Sequence, residues 1–115
     1  MINVDTEVLG MLIVKYGEDE QTRQAVGECG EFIAAAHNYY RAKKYGHRDE
    51  TLEDMMDEAV DVYFMMLQMR YIDEEMFDEI AEKKYKKIKR KATCTCDDLT
   101  VHVCSVCKYL GKKGW

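Results

Sequence analysis

Apolar residues recur along most of this chain at spacings of three and four, the signature of amphipathic helices rather than strands. The first run covers residues 4 to 16. It places Val4, Val8, Leu12, Ile13 and Tyr16 at helical spacing after Asp5 and Thr6, either of which can cap it, and Gly17 is a natural stop. A second helix is predicted from about Asp19 to about Tyr45, with Val26, Cys29, Ile33, Ala36 and Tyr40 as its stripe and Gly46 as the glycine beyond its C-terminus. Gly27 and Gly30 fall inside it, each at a cost of about 1 kcal/mol relative to alanine. Small residues there serve either close helix packing or the approach of a ligand to Glu28, which they flank.

Asp49 or Thr51 can cap a third helix running to about Tyr71, with Thr51 and Asp54 at capping-box spacing. Its apolar set, from Leu52 through Met55, Val60, Val62 and Tyr63 to Met69, wraps about half the circumference, wider than one packing contact requires. So broad a stripe predicts burial on more than one side, by a neighbouring subunit or as the central helix of a monomeric bundle. Asp73 precedes a fourth helix with Glu74 and Glu75 in its first turn and lysines in its last, both suited to the helix dipole. Phe77, Ile80, Lys84 and Ile88 share a face of it.

Composition narrows the class. A chain of 115 residues has room for one domain with a modest core. It contains no proline and only seven glycines, which favours an all-α body. The predicted fold class is therefore a four-helix bundle-like core over residues 1 to 92, able to dimerise, with a small cysteine-rich tail over 93 to 115. The apolar stretches are short and interrupted by charge, so no membrane span is predicted, and residues 1 to 20 lack the basic start and apolar run of a signal peptide. A cytoplasmic location is the expectation. The net charge of −5 argues against simple nucleic-acid binding, although basic residues dominate from Lys83 onward.

The tail carries four of the five cysteines. Cys94 and Cys96 precede Cys104 and Cys107, with Thr100 to Val103 reading as a short strand between them. Two thiolate pairs can close a tetrahedral structural zinc site and staple a segment too small for its own core; plain reduced thiols and a redox pair are the alternatives. Cys29 lies on an apolar stripe and reads as core.

The chemistry-bearing pattern is a pair of acid motifs, Glu28-Cys-Gly-Glu31 and Glu58-Ala-Val-Asp61. Residues three apart share a helix face, so each motif can aim two carboxylates one way. A lone motif of this kind means little among 22 acidic residues. Two of them on separate long helices, the second in an apolar setting and with a basic helix downstream, are more specific. Four carboxylates meeting in one pocket repel one another unless a hard divalent cation is bound, and oxygen-only ligands point to Mg²⁺ and thence to a phosphate-bearing substrate. A di-iron bundle would require histidine three residues after the glutamates, which Glu28, Glu31 and Glu58 lack.

The stretch Gln21-Thr-Arg-Gln-Ala-Val-Gly-Glu28-Cys-Gly-Glu31-Phe, with Asp57-Glu58-Ala-Val-Asp61-Val, resembles the MazG-like all-α nucleoside triphosphate pyrophosphatases, especially their short phage and bacterial forms. Lys84-Tyr-Lys-Lys-Ile-Lys-Arg90 is similar to the basic end of that family's last core helix. The resemblance covers roughly residues 8 to 91. It implies a dimerising or tetrameric helical bundle that hydrolyses a (deoxy)nucleoside triphosphate to the monophosphate and pyrophosphate. Glu28, Glu31, Glu58 and Asp61 would hold two or more Mg²⁺ ions, one of Glu31, Glu58 and Asp61 would position the attacking water, and Gln21, Lys84 and Arg90 would contact substrate. Gly27 stands where many members carry a further acid, which leaves the number of ions open. Two rival readings remain: a phosphoribosyl-ATP pyrophosphohydrolase with the same fold and motifs, and a non-catalytic helical dimer that binds nucleic acid or protein through a zinc-stapled tail.

Overall fold

The computed structural model describes residues 2–93, and every described element is an α-helix: α1 (Thr6–Tyr16), α2 (Glu18–Lys44), α3 (Arg48–Ile72) and α4 (Glu74–Thr93). The cysteine tail, with its expected strand and zinc ligands Cys94, Cys96, Cys104 and Cys107, lies outside the described residues. Two compact units divide the chain, residues 1–74 with the first three helices and residues 75–115, whose described part is α4.

The predicted punctuation is seen at most helix ends. The Asp5 carboxylate accepts from the Glu7 backbone N–H at 3.0 Å and so satisfies one of the free donors at the start of α1. Gly17 ends α1 and begins α2 within a single residue, a reversal that its φ of +90° permits because glycine has no Cβ to clash. At the far end of α2 the chain turns through Gly46, at φ +82°, and the His47 N–H returns to the Ala42 carbonyl at 2.9 Å. That bond is the Schellman closure, and the left-handed glycine makes it possible.

The start of α3 corrects the capping-box expectation. The helix begins at Arg48, His47 makes no side-chain capping bond, and Thr51 lies inside the first turn with its hydroxyl directed back to the Arg48 carbonyl at 3.2 Å. A threonine hydroxyl within a helix has that carbonyl in reach, so no cap is needed to satisfy it.

Helices α2 and α3 run antiparallel as a long hairpin. Gln21 bonds Gln68 near the open end, Glu28 faces Asp61 in the middle, and Asn38 and Thr51 line one cavity near the turn. Helix α1 packs on α3 and more lightly on α2, which makes α3 the central helix of the unit. Its broad apolar stripe is thus partly used within the chain. Gly10 of α1 is buried against the Tyr71 ring, where an added Cβ would collide with the ring atoms.

The interior of the hairpin is thin. Among the described residues the buried set consists of Gly10, Ala25, Met65 and two glutamines, Gln21 and Gln68, at 8% and 3% exposure. The glutamines satisfy each other: the Gln21 Nε2 donates to the Gln68 Oε1 at 2.7 Å, and the Gln68 Nε2 reaches the Met65 sulfur at 3.5 Å. A buried amide pair of this kind fixes helix register, because sliding either helix by one turn would strand both groups. No helix among the described residues is long and apolar enough to cross a membrane.

Candidate metal centre

Midway along the hairpin, the two acid motifs face each other. Glu28 and Glu31 project from α2, Glu58 and Asp61 from α3, and the hairpin register brings them together although about 30 residues separate the motifs. Carboxylate oxygens of Glu28, Glu31 and Glu58 lie within 4.8 Å of one another, as do those of Asp57, Glu58 and Asp61. Glu58 belongs to both groups.

Asp57 is a member that the motif reading left out. It is four residues before Asp61, so a helical-spacing search for a second acid pair on α3 could have found it. Gln24, one turn before Glu28, donates its amide to the Glu28 Oε1 at 3.1 Å and holds that carboxylate in place.

The cluster is electrostatically costly as it stands. Glu28, Glu58 and Asp61 are half-buried, and the Oε2 atoms of Glu28 and Glu58 are shielded from solvent with no hydrogen-bond partner. Loss of hydration pushes the Glu58 carboxyl above its ordinary range, helped by the charge of Glu31, a hydrogen bond to Glu31, and the charges of Asp61 and Asp57. Asp61 is raised by the same loss of hydration and by the charges of Glu28 and Asp57. No lysine or arginine forms an ion pair with any of these five acids among the described residues. A hard divalent cation would satisfy the shielded oxygens and relieve the repulsion, and an all-carboxylate donor set suits Mg²⁺, Mn²⁺ or Ca²⁺ better than Zn²⁺.

The remaining predicted site residues are described each within its own unit. Gln21 is buried two turns before Glu28 with its amide on Gln68. Lys84 and Arg90 are exposed on α4, in the second unit. Among the described residues Gly27 and Gly30 meet nothing within 4 Å of an added Cβ, so packing there requires neither. Cys29, expected in the core, is half-buried and lines a groove of about 520 Å³ with Val26, Gly30, Ile33, Met66 and Met69.

Comparison with protein-family models, curated proteins and solved structures finds no match to this chain.

Proposed function

We propose that the chain is a Mg²⁺-dependent nucleoside triphosphate pyrophosphohydrolase that cleaves a (deoxy)nucleoside triphosphate to the monophosphate and pyrophosphate. The observation that carries this reading is the sharing of Glu58 between two carboxylate triads, Glu28/Glu31/Glu58 and Asp57/Glu58/Asp61. One carboxylate with a triad on either side is a donor arrangement that suits a pair of hard cations.

Bound Mg²⁺ supplies neutralisation of the triphosphate, activation of water and stabilisation of the leaving pyrophosphate. The chain's own residues do the rest. Glu28, Glu31, Glu58 and Asp61 hold the ions, Asp57 adds a donor from α3, and Gln24 orients Glu28. Glu31 is the more exposed acid of the α2 pair and suits the task of accepting a proton from the attacking water. Two copies of the chain associate through the apolar groove of α2 and α3, where Val26 and Ile33 are 69% and 67% exposed. An apolar patch of that kind on so thin a core is supported best by a second subunit.

The test is a panel of ribo- and deoxynucleoside triphosphates, with phosphoribosyl-ATP included, incubated with the protein and Mg²⁺. Pyrophosphate and monophosphate are expected as products, abolished by EDTA. Absence of metal-dependent turnover across the panel overturns the reading; turnover of phosphoribosyl-ATP alone replaces it with the narrower activity.

A further inference from the structure

Helix α4 carries a charge pattern that a lone helix does not ask for. Every charged residue from Glu74 to Glu82 is acidic, and every one from Lys83 to Lys91 is basic. The helix dipole favours acids in the first turn and bases in the last, but its effect fades within a turn of each end. Here the sign changes in the middle of the helix. The segregation also sets like charges four residues apart on one face: Glu75 with Glu79 and Asp78 with Glu82 in the first half, Lys83 with Lys87 and Lys86 with Arg90 in the second. Each such pair destabilises an isolated helix.

The same helix has an open apolar face. Phe77, Ile80, Ala81 and Ile88 gather on one side of it, yet α4 buries none of its residues, and Phe77, Ile80 and Ile88 are all exposed. We propose that this face pairs antiparallel with α4 of a second copy of the chain. The proposal rests on the dimer inferred above for the α2–α3 groove, because two short helices with so few apolar residues do not hold together in water by themselves. Once the groove ties two chains together, the second contact becomes intramolecular, at an effective concentration on the order of millimolar.

Charge decides the direction. In an antiparallel pair the acidic half of each helix lies along the basic half of the other, at both ends of the contact. A parallel pair would set acid along acid and base along base. The apolar residues then choose the register. With the midpoint of the pair between Glu82 and Lys83, Phe77 stands level with Ile88 of the second copy, and Ala81 stands level with its Lys84. The small Ala81 leaves room for the Lys84 stem to lie along the seam while the ammonium reaches water. In this register Asp78, Glu79 and Glu82 stand level with Lys87, Lys86 and Lys83 of the second copy. Complementary charge beside an apolar seam sets partner and orientation more than it sets affinity.

The experiment places the photoreactive residue p-benzoylphenylalanine at Phe77 of the full-length chain and mixes that chain with isotopically labelled wild type. The mixture is irradiated, the crosslinks are located by mass spectrometry, and light scattering gives the oligomeric state of the same sample. Crosslinks to labelled residues 84–92 are expected. Crosslinks to labelled residues 73–81 would make the pair parallel, and crosslinks confined to any other stretch of either chain would give the face another cover; both overturn the proposal. A dimer without crosslinks between chains overturns it and leaves the groove contact standing, whereas a monomer removes the groove dimer as well. Two charge-reversed chains test the electrostatic half, one with Asp78→Lys, Glu79→Lys and Glu82→Lys, the other with Lys83→Glu, Lys86→Glu and Lys87→Glu. Each alone is expected to raise the dimer dissociation constant at least ~10-fold at low salt, and the two mixed are expected to form the heterodimer in clear excess over the statistical half. Unchanged dissociation constants with no heterodimer excess overturn the antiparallel pairing.

Discussion

The α2–α3 hairpin has two flanks of opposite character. Glu28 and Glu31 turn to one flank of α2, while Val26 and Ile33, each two residues away from one of those acids, point roughly 200° round the same helix. The acid flank collects Glu58 and Asp61 from α3, and the apolar flank collects Met66 and Met69. Both flanks are open among the described residues of the first unit, for different reasons. Within the described residues of the first unit, the acid flank has no ion pair with a lysine or arginine, and the apolar flank leaves Val26 and Ile33 exposed. On the function proposed above, the acid flank takes a cation and the apolar flank a second copy of the chain.

The largest effect should come from breaking the acid flank. Asp61→Asn or Glu31→Gln is expected to lower turnover by at least ~100-fold, more than loss of an outer-shell partner typically costs a metal site, with the helical circular-dichroism spectrum intact. Unchanged turnover in either variant removes that residue from the site.

Next comes the apolar flank. Ile33→Glu puts a charge into the middle of the groove and is expected to convert a dimer to a monomer in light scattering at micromolar concentration, with the dissociation constant raised at least ~10-fold. A wild-type chain that is already monomeric there would leave the groove without the role given to it.

Between the flanks, Gln68→Leu leaves the Gln21 amide buried and unpaired, an expected loss of about 1–3 kcal/mol in urea unfolding. The double variant with Gln21→Leu should recover most of that loss, because replacing both partners leaves no orphaned polar group. A double variant as unstable as the single one would assign the cost to packing.

The smallest effect sharpens the electrostatic half of the comparison. Glu58 and Asp61 keep their protons in the folded chain at pH values where the unfolded chain has lost them. Their contribution to stability is therefore greatest below the ordinary carboxylate range and is lost as pH rises from that range through the raised values. In metal-free buffer, Glu58→Gln should lose less stability than wild type as pH rises from ordinary carboxylate values of about 4. Added Mg²⁺ should flatten the wild-type profile and leave that of the variant nearly unchanged. Parallel profiles under all conditions would mean that the carboxylates are too well solvated to be a cation site.

How far the chain could be read in advance follows from the range of each interaction. Helix ends at Gly17 and Gly46 were legible because left-handed backbone is a local demand that glycine meets alone. The third helix start was misread at Thr51, since a threonine can cap a helix or bond back within it, and the choice depends on where the preceding turn places the chain. The four motif acids were visible through their spacing of three. Asp57 and the Gln24 support of Glu28 were missed because each meets its motif acid, Asp61 or Glu28, at a spacing of four.

The amino-acid sequence by itself determined the all-helical character of the described chain, the helix boundaries to within a few residues, and the pairing of acids on each helix face. These follow from backbone propensity and helical periodicity, which act within a few residues. Only the tertiary structure decided the hairpin register. That register set Glu28 against Asp61, joined two triads at Glu58, opened the cavity beside Asn38, and buried Gln21 on Gln68 across 47 positions of sequence. Register is the sum of contacts between residues far apart in the chain, and no local pattern encodes it.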